Sequence, residues 1–241
     1  MDVWDREHTK PFQRNMNSSL LDGPRLEPRG GAPAKQLVVF LHGYGADGKD
    51  LIELGRAWQT LLPNAAFVSP HAPEPCGQAP SGRQWFPLTF RDPNERWLGV
   101  NAAAPVLESF LDAELARRQL PPSALALVGF SQGTMMALHV GLRRAAAPAA
   151  IVGYSGLLVV QGDVDPEAFA AEIRVKPPVL LVHGEQDDLI PAAALFQAAQ
   201  GLAVLEIPVE WHISPGVGHG IDQEGLRHGG EFLARQLAAV R

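Results

Sequence analysis

A mostly parallel β-sheet covered by helices on both faces is the fold class predicted by this 241-residue sequence. Two observations carry it. First, short aliphatic runs recur along the chain: "LVVFL" (37–41), "AAFVS" (65–69), "LALVG" (125–129), "AIVGYS" (150–155), "VLLVHG" (179–184) and "IPVEWHI" (207–213). They are apolar almost throughout instead of alternating with polar residues, as in strands buried on both faces. Second, helical spacing appears between and after them: Leu107, Leu111 and Leu115 form one stripe, and Leu226, Leu233, Leu237 and Val240 another. Strand and helix in alternation build a parallel sheet with helical crossovers. Residues 1–36, rich in Pro, Gly, Arg and Asn, read as an N-terminal arm or edge hairpin, ordered or loose, and residues 37–241 as one α/β domain.

Composition narrows the partners. A net charge of −6 and no dense Lys/Arg cluster offer no footprint for nucleic acid. The apolar runs are too short to span a bilayer, and "MDVWDREHTKPFQRNMNSS" lacks the apolar core of a signal peptide, so no stable membrane insertion is expected. The lone Cys76 cannot form an internal disulfide, which favours a reducing, cytoplasmic location. Oligomeric state is left open, with room for a homodimer through a small apolar patch.

In such sheets ligands bind beyond the carboxyl ends of the strands, which directs attention to the residues following each one. "GFSQG" (129–133) follows "LALVG" and precedes the helical run "TMMALHVGLRR". Gly-x-Ser-x-Gly is a weak pattern alone. Between a strand and a helix it describes a sharp turn that projects a serine hydroxyl, with glycines where side chains would strike backbone. Ser131 is therefore a candidate nucleophile. The turn also places the Gln132 N–H at a helix N-terminus, where it can stabilise a developing oxyanion. On this reading Gln132 acts through its backbone, and Gln132→Ala is expected to be far milder than Ser131→Ala.

A serine hydroxyl needs a base, and the base an orienting acid. "HGEQDDLIP" (183–191) offers Asp187 and Asp188, and "GVGHG" (216–220) offers His219 in a glycine-rich loop after the next strand. The order Ser, Asp, His is the one this topology uses. A histidine acting as base must be neutral, so acid should silence the reaction. His42, His71 and His183 also follow or end strands, but no His-x-His or His-Glu-x-x-His spacing supports a metal, and none is expected.

The ordered set "FLHGYGADG", "PHAPEP", "QWF", "GFSQG", "HGEQDDLIP" and "GVGHG" resembles the carboxylesterase/phospholipase family of α/β-hydrolases, which includes bacterial carboxylesterases and acyl-protein thioesterases. The resemblance extends over about residues 37–240. It implies a single α/β-hydrolase fold and hydrolysis of carboxylic esters, or of acyl thioesters or lysophospholipids, without a cofactor. By position it makes Ser131 the nucleophile, His219 the base and Asp187 the acid in preference to Asp188. It also makes the Tyr44 N–H, in "LHGYG", the oxyanion donor that accompanies Gln132.

The segment between the 150–155 and 179–184 strands is too short for a separate lid domain, so an open site and small-molecule esters with short to medium acyl chains are expected. The longer stretch from Pro70 to Trp97 is expected to overhang the site, with Trp85 and Phe86 as substrate contacts or as anchors of the loop. A non-enzymatic binding protein on the same scaffold is the reading from another class.

Overall fold

The computed structural model describes residues 21–89, 92, 94–162 and 166–238. Its main sheet has seven strands. In chain order these are β1 (Arg25–Leu26), β2 (Gln36–Leu41), β3 (Ala65–Val68), β6 (Leu125–Phe130), β7 (Ala150–Tyr154), β8 (Val179–Gly184) and β9 (Val209–Ser214). The gap in numbering is filled by a small antiparallel ribbon, β4 (Glu74–Pro75) and β5 (Arg83–Gln84). Spatial order in the sheet is β1-β3-β2-β6-β7-β8-β9, parallel throughout except for β1. The helices are α1 (Gly48–Trp58), α2 (Glu95–Arg118), α3 (Gln132–Arg143), α4 (Pro166–Glu172), α5 (Ala193–Val204) and α6 (Gln223–Ala238).

Because successive strand side chains point to opposite faces, the continuous apolar runs feed two cores. Val38, Phe40, Val128, Val152 and Val182 pack with Trp58 of α1 and with Phe232 and Leu233 of α6. Leu37, Val39, Leu127, Ile151 and Leu181 pack on the other side with Leu107 of α2, Met135 of α3 and Leu195 of α5. This is the sheet with helices on both faces expected of an α/β-hydrolase. The strand β9 departs from the reading of strands buried on both faces. It lies at the sheet edge, and Trp211 in its middle is 53% exposed. Val240 lies outside the described residues.

The described part of the N-terminal segment takes part in the sheet. From residue 21 onward it joins the sheet through β1, an edge strand antiparallel to β3, with Ser69 N–H donating to the Pro24 carbonyl at 3.0 Å and His71 N–H to Asp22 at 2.7 Å. Residue 36 is consequently not a boundary in the fold. Charge fixes this strand to α2. Arg25 Nη2 donates to buried Glu114 at 2.9 Å, and Arg118 makes a two-pronged pair with Glu27 at 2.6 and 2.8 Å. The possible flexibility of residues 1–20 falls outside the described residues.

The Glu114 carboxylate is held below the usual range: burial pushes its pKa up, but hydrogen bonds from Arg117 and Arg25 outweigh it. Removing a charged donor leaves that carboxylate under-satisfied. Arg25→Ala is expected to destabilise the protein by about 2 kcal/mol in urea unfolding, while Arg56→Ala, whose pair with Glu53 is exposed on both sides, should change stability by less than about 0.5 kcal/mol.

Candidate active site

Ser131 sits at the turn from β6 into α3 with φ 54° and ψ −115°, a left-handed conformation that a non-glycine residue adopts only under constraint. The constraint is a close approach of backbones. A side-chain carbon on Gly133 would collide with the Leu41 carbonyl of β2, and one on Gly129 with the backbone of Gly133 and Thr134. The Ser131 N–H donates to the Tyr154 carbonyl of β7 at 2.9 Å, and its own carbonyl accepts from Thr134 N–H. The turn is thus fastened on both sides, and the side chain of Ser131 remains partly exposed.

Beyond β8, the buried Asp187 and exposed Asp188 separate cleanly. Asp187 Oδ1 accepts from the Leu189 and Ile190 N–H groups at 3.0 and 2.9 Å, and Oδ2 faces His219 Nδ1 at 2.7 Å. Burial would raise the Asp187 pKa, yet the Ile190 N–H, the His219 contact and the Leu189 N–H bring it below its ordinary value. It stays an anion, suited to hold the Nδ1–H tautomer of His219 and leave Nε2 free.

The histidine loop is bolted to the acid loop. Gln186 N–H donates to Val217, Glu185 N–H to Ser214, and Gly216 N–H to the Glu185 carboxylate. Gly184 has no side chain where the Val217 and Gly218 carbonyls come close. Phe130, the residue before Ser131, has its ring centroid 5.0 Å from that of His219, which brings His219 and Ser131 to one rim of the sheet. Among the described residues Ser131 Oγ and His219 share no hydrogen bond, and such bonds are often long until substrate is seated.

Around the serine, the Tyr44 and Gln132 N–H groups have no acceptor among the described residues. Gly43 lies against both Phe130 and the Ser131 side chain, so Tyr44 follows directly from that contact. The Cys76 thiol beside the Tyr44 hydroxyl, together with burial, pushes the Tyr44 pKa up to about 12. His42 braces the loop from behind, its Nδ1–H donating to the Gly43 carbonyl at 2.8 Å and its Nε2 accepting from Ala72 N–H at 2.9 Å. Burial drives its pKa down to about 4, as a neutral strut requires. Among the described residues no group of three or more His, Cys, Asp or Glu side chains is arranged to hold a metal ion.

Two expectations are corrected here. Trp85 and Phe86 are each only 1% exposed, so they anchor their loop to the core and present no surface to substrate. Trp85 donates its indole N–H to the His42 carbonyl at 3.0 Å, and Phe86 fills the space left by Gly99 in α2. Gln132, in turn, does more than offer its backbone. Its buried side chain accepts from Trp85 N–H at 2.9 Å and donates to the Phe86 carbonyl at 2.8 Å. Nothing in the sequence pattern marks this clamp, because residues about 46 positions apart meet only in the folded chain.

A model of the phospholipase/carboxylesterase family matches residues 28–237. Among solved structures, esterase PE8 is 46% identical, covering 90% of this chain and 99% of its own, with a TM-score of 0.84. Among curated proteins, esterase YpfH of Escherichia coli is 28% identical over 81% of this chain and 80% of its own. Acyl-protein thioesterase 1 of Gibberella zeae is 26% identical over 83% of this chain and 90% of its own.

Removing the Gln132 clamp strands a buried N–H and a buried carbonyl, so Gln132→Ala is expected to cost about 2–4 kcal/mol of stability in urea unfolding. His42 and His139 also make stability fall in acid. Burial depresses their pKa values from 6.5 to about 4 and about 3. Below about 6.5 the unfolded chain takes up protons that the native state refuses, so stability present at neutral pH is lost from there down to about 4. Urea midpoints measured from pH 7.5 to 5 should fall, and the fall should be shallower in His139→Leu.

Proposed function

The chain belongs to the phospholipase/carboxylesterase family of hydrolases, and on that premise we propose that it is a serine carboxylesterase acting through an acyl-enzyme on esters with short to medium acyl chains. The observation that carries this reading is the buried Asp187 bonded at 2.7 Å to His219 on the rim that holds the strained Ser131. His219 takes the Ser131 proton as Oγ attacks the ester carbonyl, and the oxyanion rests on the N–H groups of Tyr44 and Gln132. The protonated His219, steadied by the Asp187 carboxylate, gives its proton to the departing alcohol. Water then enters by the same route in reverse, with His219 as base, and releases the acid.

The oxygen-ester preference is supported by the esterase names of the relatives at 46% and 28% identity. Acyl-protein thioester or lysophospholipid hydrolysis is the second reading, favoured by the thioesterase relative at 26%. The chain-length preference rests on the short connection between β7 and β8, residues 155–178, which leaves no length for a separate lid domain. Among the described residues no helix is long and apolar enough to cross a membrane, and a cytoplasmic site of action agrees with the unpaired Cys76.

A fluorophosphonate should label wild-type protein on Ser131 and fail to label Ser131→Ala, whose ester turnover should fall at least about 10⁴-fold. Near-native turnover in the alanine variant would remove Ser131 from the chemistry. Matched oxygen esters and thioesters of increasing chain length should show the highest kcat/KM for short and medium oxygen esters; a maximum on long acyl thioesters would favour the second reading.

A further inference from the structure

His183 is the penultimate residue of β8, four positions before Asp187, and is 2% exposed. Its Nε2 stands 2.7 Å from the Ile190 carbonyl and 3.2 Å from Asp187 Oδ2. Both of these neighbours are acceptors, so Nε2 carries a proton, and its hydrogen bond goes to the Ile190 carbonyl while the carboxylate oxygen lies beside it at ion-pair distance. The Ile190 N–H, for its part, donates to Asp187 Oδ1. A closed ring results: His183 to the Ile190 carbonyl, Ile190 N–H to the carboxylate, and the carboxylate back to His183. Asp187 then has two N–H donors on Oδ1 and two ring nitrogens on Oδ2. Among the described residues the titratable groups that reach it are the His183 and His219 imidazoles.

We infer that His183 is a positioning residue for the catalytic acid: by holding the Ile190 carbonyl its Nε2–H fixes the turn whose N–H groups orient the Asp187 carboxylate, and its positive edge lies against the same oxygen that binds His219. This rests on the serine-hydrolase reading above. Two consequences follow from the geometry. The ring holds the 187–190 turn closed, so the carboxylate plane cannot rotate away from His219. The shared oxygen also offers less negative charge to the His219 imidazolium than a carboxylate free of His183 would. Without that N–H, Asp187 would bind the imidazolium more strongly.

The side-chain amide of glutamine places its N–H the same number of bonds from Cα as Nε2, whereas asparagine falls one carbon short. His183→Gln, His183→Asn and His183→Leu therefore separate the donor from the volume. With a soluble short-chain ester, kcat, KM and the pH profile of kcat/KM are measured for each, with thermal midpoints to confirm folding. His183→Gln should keep kcat within about 3-fold of wild type and leave the acid limb unmoved. His183→Leu should lose about 10–100-fold in kcat, the cost typical of removing an outer partner of a functional ligand, with KM nearly unchanged and the acid limb moved to higher pH. If His183→Leu does not fold, the Gln and Asn variants carry the same contrast.

A leucine variant with wild-type kcat and pH profile overturns the inference, as does a glutamine variant as impaired as the asparagine one. Phosphonate labelling of wild-type Ser131 keeps the two readings apart. Labelled, active protein with indifferent His183 variants removes only the role of His183; unlabelled protein removes the serine mechanism itself.

Discussion

The close approach of α3 to β2 is the constraint on which the site depends. The helix starts so near the sheet that Gly133 lies against the Leu41 carbonyl and Gly129 against the first turn of the helix. Only with both glycines can the chain reverse sharply enough to put Ser131 at φ 54° and lift its hydroxyl off the sheet. The strain is held by parallel strands on either side, β7, buried from end to end, and β2, buried at every position after Gln36. The same approach brings the residues after β2 alongside the serine, so one packing event creates both the projected hydroxyl and the two N–H groups beside it.

Asp187 and His219 reach that rim by a different logic. Neither sits on a helix. Asp187 hangs from the end of β8 in a turn tied by its own carboxylate, and His219 lies in a loop tied back to that turn through Gln186, Glu185 and Gly216. Asp222 closes the loop by accepting from Ser214 Oγ and from Gly225 N–H at the start of α6. A loop held by backbone bonds at both ends can present a histidine accurately without burying it. His219 remains partly exposed while its partner carboxylate is fully enclosed, a combination that suits a group exchanging protons with a substrate.

How much of this could be read from the chain depended on whether the information was local. The runs at β2, β3, β6, β7 and β8 are apolar at nearly every position, and such strands must be covered twice, so fold class and strand order along the chain were legible. The glycines of 129–133 announced the turn for the same local reason. The strand β9 misled because "IPVEWHI" reads as a core strand, while its place at the edge is decided by what the sheet lacks beyond it. Pro105 stands inside α2, where sequence rules expect a break. The side-chain clamp of Gln132 and the contacts of His183 were invisible, since each depends on a partner that only the fold supplies, and for Trp85 and Phe86 the sequence left substrate contact and loop anchor undecided until burial decided it.

The central claim is that Ser131 carries the acyl group in turnover. Mixing excess p-nitrophenyl acetate with enzyme in a stopped-flow instrument, and quenching in acid for peptide mass analysis, tests it directly. The account predicts rapid formation of an acetyl ester on the Ser131 peptide during turnover, at a rate no slower than steady-state product release. Turnover with unmodified Ser131, or with the acetyl group on another residue that exchanges at the catalytic rate, would contradict it.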